Sequence, residues 1–355
     1  MSTNDALQTA ACNLFGTRYP IVQTGMGYVA GARLAAATSE AGGLGIIASA
    51  TLTYEQLEIA IHKVKERTNN PFAVNLRADA EDATKRIDLL IREGVKVASF
   101  ALAPKEALIK QCKDAGVVVV PSIGARRHAE KVAAWGADAV ICQGGEGGGH
   151  TGSVPTTLLL PQIIDAVDIP VIAAGGFFSG AGLVAALAYG AAGVAMGTRF
   201  LLTQESTVPH EVKAFYLDKT VSDTVVTTKV DGAPHRVLLT PMVEGLVSGS
   251  AITALPRALK NAVGFKKISG LSWQSMIKEG ISMKKNGELS WAAVLMQANT
   301  PMLLKAAMVD GNLNGGVMAS GQVVGVIDDI PTVAEVIERI MNEARATLKH
   351  LGVPQ

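Results

Sequence analysis

An α/β fold, a (β/α)8 TIM barrel carrying an inserted, smaller, mainly helical second domain, is what this 355-residue sequence predicts. Short apolar runs alternate eight times with helix-length amphipathic segments before the rhythm stops near Phe215. The runs are rich in Val, Ile and Ala with little polar alternation, as a parallel sheet covered on both faces requires. Eight such alternations in roughly 200 residues close into a barrel, whereas an open doubly wound sheet normally uses fewer strands.

The strands are expected at residues 21–24, 44–48, 72–76, 95–101, 117–122, 137–142, 170–174 and 193–197, with helical patterns such as 54–67, 83–93, 105–115 and 125–135 between them. Gly94, Gly116 and Gly136 stand just past three of those helices, where a left-handed residue ends a helix without a Cβ clash. The barrel is read as residues 1–217 and the inserted substrate or lid domain as 218–300. The insert opens with the Thr/Val run from Thr224 to Thr228 and carries Trp273 and Trp291. Residues 301–355 return to the barrel, and an amphipathic helix over 332–351 follows Asp328-Asp329-Ile330-Pro331 and covers it.

Composition narrows the function classes. With 48% hydrophobic and 18% charged residues the chain is a core-rich globule, not a disordered or fibrous protein. A net charge of +1 gives no reason to expect nucleic acid or a membrane surface as partner. Charge is uneven, however: within residues 257–285, Arg257, Lys260, Lys266, Lys267, Lys278, Lys284 and Lys285 stand against Glu279 alone. Cys12, Cys112 and Cys142 have no metal-ligand spacing and cannot form a disulfide framework, which points to a reducing cytoplasm. No apolar run reaches membrane-spanning length without a charge, Gly or Pro break, so a cytoplasmic protein is expected.

The chemistry is expected where the sixth strand ends, in Gln143-Gly144-Gly145-Glu146-Gly147-Gly148-Gly149-His150. Five glycines in six positions leave backbone that can approach a flat ligand closely and take positive φ, more than a plain turn needs. His150, set into that loop, is the side chain most readily tuned to exchange a proton near neutral pH. The seventh strand ends at Gly175-Gly176 and the eighth at Ala195-Met196-Gly197-Thr198, the consecutive strand ends that commonly hold phosphate in such barrels. A helix start near Gly180 adds backbone N–H groups there. Asn75 is an amide on an otherwise apolar strand, able to donate and accept along a flavin edge. Gly25-Met26-Gly27-Tyr28-Val29-Ala30 matches the dinucleotide fingerprint formally, but the next strand ends in Ser49-Ala50 with no acidic residue for a ribose, so that motif is set aside. Cys142 reads as a small packed hydrophobe, and His62, His128 and His210 fall in helical patterns. His235, in Gly232-Ala233-Pro234-His235-Arg236, is read as lying outside the chemistry.

Taken together, these motifs resemble the nitronate monooxygenase (2-nitropropane dioxygenase) family of FMN enzymes, which includes flavin-dependent enoyl-acyl-carrier-protein reductases. The likeness runs through Pro20-Ile21-Val22-Gln23-Thr24-Gly25-Met26, Gly42-Gly43-Leu44-Gly45, Phe72-Ala73-Val74-Asn75, the loop from Gln143 to His150, Ala173-Ala174-Gly175-Gly176 and Met196-Gly197-Thr198-Arg199-Phe200. It implies FMN on Gly25, Met26, Asn75, Gln143, Gly148, Gly175, Gly176, Ala195, Met196, Gly197 and Thr198, with His150 as catalytic acid or base. Within the family the chain is similar to an actinobacterial subgroup of steroid C- and D-ring degradation that acts on an indane-carboxyl-CoA thioester. Val97-Ala98-Ser99-Phe100-Ala101-Leu102-Ala103-Pro104 and Ala319-Ser320-Gly321-Gln322 carry that closer likeness. Glu146-Gly147-Gly148 stands where nitronate monooxygenases usually have Glu-Ala-Gly, and Thr24-Gly25-Met26 where they have Ala-Pro-Met, which argues against simple nitronate oxidation.

The resulting expectation is an FMN oxidoreductase of a bulky CoA thioester, with hydride passing between flavin and the β carbon while His150 moves the α proton. Arg77, Ser320, Gln322, Lys266 and Lys267 are the expected substrate contacts; the basic run suits CoA phosphates, which a nitroalkane lacks. Nitronate oxidation with O2 and NAD(P)H-dependent enoyl-thioester or quinone reduction are the alternatives, NAD(P)H or NAD(P)+ being the redox partner in the latter. A small-molecule substrate is expected, and a homodimer is compatible with the reading.

Overall fold

The computed structural model describes residues 6–248 and 291–353. Eight parallel strands close a barrel in the order β1-β2-β3-β4-β5-β6-β8-β9: β1 (Ile21–Gln23), β2 (Leu44–Ala48), β3 (Phe72–Arg77), β4 (Val97–Ala101), β5 (Val118–Ile123), β6 (Val140–Gln143), β8 (Val171–Ala174) and β9 (Gly193–Met196). Closure comes from β1 against β9, with Ile21 opposite Val194 and Gln23 opposite Met196. A two-residue strand, β7 (Gly149–His150), leaves the barrel order altogether and joins a second sheet. The expected α/β barrel is therefore present, and each of its strands lies at a predicted position within a few residues.

Inside the barrel, Val22, Leu44, Ile46, Ala73, Val97, Val120, Ile141, Ile172 and Ala195 form one buried cluster. Phe15 of α1 (Ala10–Phe15) belongs to the same cluster and closes the amino-terminal end. The outer helices are α2 (Ala32–Glu40), α3 (Tyr54–Lys65), α4 (Ala83–Arg92), α5 (Glu106–Asp114), α6 (Arg126–Ala134), α7 (Thr156–Ile164) and α8 (Gly180–Ala188), followed by the short α9 (Thr198–Leu201). Gly94, Gly116 and Gly136 take φ of +64°, +73° and +93° behind α4, α5 and α6, as their positions predict. The amide of the residue after each glycine then bonds back to a helical carbonyl, Val95 to Leu90, Val117 to Cys112 and Ala137 to Val132.

The chain divides into two compact units. Among the described residues, 6–147, 152–207 and 326–353 form the barrel unit, and 148–151, 208–248 and 291–325 form the other. The barrel unit ends in a helix capped by Thr332, whose hydroxyl accepts from the Glu335 amide while the Glu335 carboxylate accepts from the Thr332 amide. That helix, Val333–His350, buries Val336, Ile337, Ile340 and Met341 and packs on α8 and α2. Its approach is stabilised by Arg199, buried just after β9, whose guanidinium donates to the Asp329 carboxylate at 2.8 Å and to the Asp329 carbonyl at 2.9 Å.

The second unit contains, in its described residues, three helices: α10 (His210–Leu217), α11 (Pro241–Ser248) and α12 (Trp291–Met308), the barrel-covering helix being α13. These helices accompany an antiparallel three-stranded sheet of order β10-β11-β7, with β10 at Thr224–Thr227 and β11 at His235–Leu238. Val230, Val237, Val243 and Val317 make its small core. Among the described residues no helix is long and apolar enough to cross a membrane. Lys266, Lys267 and the rest of the basic run 257–285 lie outside the described residues.

Candidate active site

At the carboxyl edge of the barrel, several predicted residues sit on loops that follow their strands directly. Gln23 closes β1, buried, its side-chain oxygen accepting from the Ile46 amide at 3.2 Å and its nitrogen donating to the Ile46 carbonyl at 3.1 Å. That pairing fixes the departure of Thr24, whose amide donates to the Met196 carbonyl at 3.1 Å and ties the β1 loop to the end of β9. Gly25 then passes so close to Asn75 that a Cβ there would lie 2.5 Å from the Asn75 Cβ. With Asn75 where it stands, a side chain at position 25 would force Asn75 to shift, and glycine avoids that. Asn75, buried near the end of β3, donates to the Ser99 hydroxyl at 3.2 Å, and its carbonyl accepts from the Ser49 hydroxyl at 2.7 Å. Across the opening, the Met26 sulfur lies 3.5 Å from where a Cβ on Gly197 would stand.

The β6 and β8 loops are pinned by Glu146. Its carboxylate accepts from the Thr156 hydroxyl at 2.7 Å and the Thr156 amide at 3.0 Å, at the amino end of α7 where a negative charge is stabilised. Glu146 therefore holds the glycine loop in shape. Gly175 and Gly176 follow β8 with φ of +91° and +84°, and a Cβ on Gly175 would lie 2.9 Å from the Gly144 carbonyl oxygen. Two consecutive glycines with positive φ leave the backbone after β8 free of side chains. The α8 start near Gly180 is otherwise engaged: the Gly180 amide donates to Glu343 at 2.8 Å and the Gly182 amide to the Ser179 hydroxyl at 3.2 Å. A phosphate would thus rely on the turns at Gly175–Gly176 and Gly197–Thr198 rather than on α8. Bare backbone at Gly25, Gly175, Gly176 and Gly197 with the amides of Asn75 and Gln143 around it fits a flat, phosphate-bearing ring.

Cys142 is buried within β6, and burial pushes its thiol up to about 12, so it stays protonated and packs as the small hydrophobe expected. Arg77 ends β3 and pairs with Asp79 through two bonds, 3.0 and 2.6 Å, on the surface.

His150 is positioned by the second unit. On β7 it lies directly opposite His235 of β11, the two rings 4.6 Å apart and tilted by 42°. Asp231, four residues before His235, faces both: its Oδ2 lies 2.7 Å from His150 Nε2 and 3.2 Å from His235 Nδ1. The other oxygen, Oδ1, accepts from the Ala233 amide at 3.2 Å, so a local turn holds the carboxylate. Asp231 and His235 are buried, 4% and 3% exposed, while the His150 side chain is 59% exposed. Burial works to raise the Asp231 carboxyl, but the hydrogen bonds and charges of His150 and His235 prevail and hold it well below the usual carboxylate range. Ser320 is buried in the same unit, its amide reaching the Arg236 carbonyl at 3.4 Å, and Gly148 packs against it: a Cβ on Gly148 would lie 2.5 Å from the Ser320 carbonyl carbon. Gln322 opens the 3-10 turn Gln322–Val326 that follows. The spacing from His150 to Asp231, 81 residues, is why no local motif announces the carboxylate.

The model of the nitronate monooxygenase family matches residues 8–86 and 78–343. The chain belongs to that family. Two relatives within reach of this family member are each named (3aS,4S,5R,7aS)-5-hydroxy-7a-methyl-1-oxo-octahydro-1H-indene-4-carboxyl-CoA dehydrogenase. That of Rhodococcus jostii is 61% identical over 346 residues, covering 98% of either chain. That of Mycobacterium tuberculosis is 62% identical over 341 residues, covering 95% of this chain and 96% of its own. Among solved structures, FabK from Thermotoga maritima superposes with a TM-score of 0.79 at 34% identity, covering 97% of this chain and 98% of its own. The family resemblance carried by the glycine loops thus extends to the whole nitronate monooxygenase-type chain, and the protein is an oxidoreductase of that family.

Proposed function

We propose that this protein is an FMN-dependent dehydrogenase of a bulky, ring-bearing CoA thioester, with His150 as the acid–base group. The observation that carries the reading is identity above 60% over nearly the full length with two relatives named as dehydrogenases of one indane-carboxyl-CoA. FMN, when bound, supplies the acceptor for the hydride that leaves the β carbon. The chain's own residues do the rest. Gly25, Met26, Asn75 and Gln143 would border the ring of a bound flavin, and the turns at Gly175–Gly176 and Gly197–Thr198 would hold its phosphate. His150, exposed on β7, takes the proton from the carbon next to the thioester carbonyl, where the thioester makes that proton removable. Ser320, Gln322 and Arg77 contribute to the substrate's orientation. The basic run 257–285 supplies cations for CoA phosphates.

Anaerobic titration of the flavin with an indane-carboxyl-CoA thioester, a nitronate and NADH in parallel tests the reading. Bleaching by the thioester is expected. Rapid oxygen consumption with propionate 3-nitronate and no response to the thioester would replace it with the nitronate monooxygenase activity that the family's name describes. Bleaching by NADH alone would point to a reductase. Mass spectrometry of the released flavin should return FMN.

A further inference from the structure

We propose that Asp231 is a positioning residue for His150, clamped in place from behind by His235. The inference rests on the reading of His150 as the acid–base group and adds the device that aims it.

Three hydrogen bonds meet at one carboxylate, two of them at the same oxygen. Asp231 Oδ2 receives His150 Nε2 at 2.7 Å and His235 Nδ1 at 3.2 Å, while Oδ1 is tied to the Ala233 amide at 3.2 Å. The carboxylate is thus held at both ends and cannot swing away from the imidazole it serves. The turn that delivers it is itself fixed, with Gly232 at φ +89° and its amide bonded to the Thr228 carbonyl at 2.8 Å. Burial is graded across the three side chains: His235 and Asp231 are sealed in, and His150 alone presents more than half its side chain to solvent. A buried carboxylate behind an exposed imidazole holds one tautomer and one ring orientation and stabilises the cation that forms when the ring takes a proton. His235 then has a distinct job. Directly across the sheet from His150, it supplies the second N–H to the shared oxygen and fills the space behind it. The same three ligand atoms lie close enough together to hold a metal ion, but each short distance is already accounted for by a hydrogen bond.

The test compares Asp231→Asn, His150→Ala and the double variant in the flavin-loaded protein, measuring flavin content, kcat, KM and the pH dependence of kcat/KM. Asp231→Asn should retain flavin and KM for the thioester while kcat falls about 10²-fold or more. The acid limb of its kcat/KM profile should move to lower pH, a change that general destabilisation does not produce. Adding Asp231→Asn to His150→Ala should lower kcat no further, because the carboxylate acts only through the imidazole. Asp231→Glu should recover part of the rate, and it keeps the question answerable should the Asn variant fold poorly. An Asp231→Asn enzyme with unchanged kcat and pH profile beside an inactive His150→Ala enzyme would overturn the role of Asp231 and leave His150 standing. Full activity in His150→Ala would instead remove the acid–base reading on which the inference rests.

Discussion

At the carboxyl edge of the barrel, the candidate flavin residues other than Gly148 lie on or just after their own strands, whereas the carboxylate that faces His150 comes from 81 residues further along the chain. The two regions are also made of different material. The barrel edge offers backbone: left-handed glycines, a Gly25 whose lack of a Cβ leaves Asn75 in place, and two amide side chains. The second unit offers titratable side chains, a His–Asp–His set arranged by a cross-strand pair and a turn. A flat ring that must be held closely calls for the first kind of surface, and a proton that must be moved calls for the second. If that division of labour is real, damage to one region should separate cleanly from damage to the other.

The largest effect should come from the barrel edge. Gly176→Val places a β-branched residue at φ +84°, where valine is a genuine outlier and the strain is about 1–3 kcal/mol or more. Purified protein should carry little flavin, read as the ratio of absorbance near 450 nm to that at 280 nm by order-of-magnitude comparison with wild type. A Gly176→Val protein with a full flavin complement would remove this turn from the cradle.

His150→Ala should do the reverse: flavin retained with an almost unchanged spectrum, and the chemical step slowed by about 10²–10⁴-fold, as loss of one general acid or base predicts. Stopped-flow reduction by the thioester measures it. Loss of flavin in this variant would collapse the distinction between the two regions.

The same contrast explains how much was legible in the sequence. Strand positions, the glycine helix ends and the cradle glycines are local: each follows from a few neighbouring residues, and Gly94, Gly116 and Gly136 behave as placed. Glu146, by contrast, stands amid the glycines like a catalytic group, yet it caps α7 through Thr156, a contact made across ten residues. His235 was legible as a residue but not as a neighbour, because its partner is defined by a strand of two residues, Gly149–His150, with no periodicity to reveal it. Asp231 carries no catalytic motif; the sequence signal that leads to it is an Asp-Gly pair between the Val/Thr-rich run 224–230 and the apolar run 237–239, which form the β10–β11 hairpin.

Substrate contacts should respond more weakly than either region. Changing Lys266 and Lys267 to Ala should weaken thioester binding roughly tenfold if each supplies one charge-assisted contact of about 0.5–1 kcal/mol. Raising the ionic strength should mimic the change, and a small nitronate without phosphates should ignore both. A thioester affinity indifferent to the substitutions and to salt would remove these lysines from the substrate contacts. Flavin content should not move in any of these experiments, which keeps the cradle apart from the substrate grip.

The smallest effect, and the finest test of the contrast, lies with Arg77. It stands at the end of β3, two residues beyond Asn75, so it shares the barrel edge with the cradle yet offers a charge instead of backbone. Its two-hydrogen-bond ion pair with Asp79 is exposed on both sides, 44% and 48%. Such a pair contributes about 0–1 kcal/mol to stability, so Arg77→Ala should shift Tm by only a few degrees at most and leave flavin in place. If the guanidinium also meets the thioester, KM should rise a few-fold with kcat unchanged, the signature of binding shared equally by ground and transition states. Asp79→Ala separates the two roles: it removes the same ion pair but keeps the guanidinium, so it should reproduce the small stability change without the rise in KM. Equal KM values for wild type, Arg77→Ala and Asp79→Ala would restrict the charged substrate contacts to other residues and leave the barrel edge as a surface of backbone and amides only.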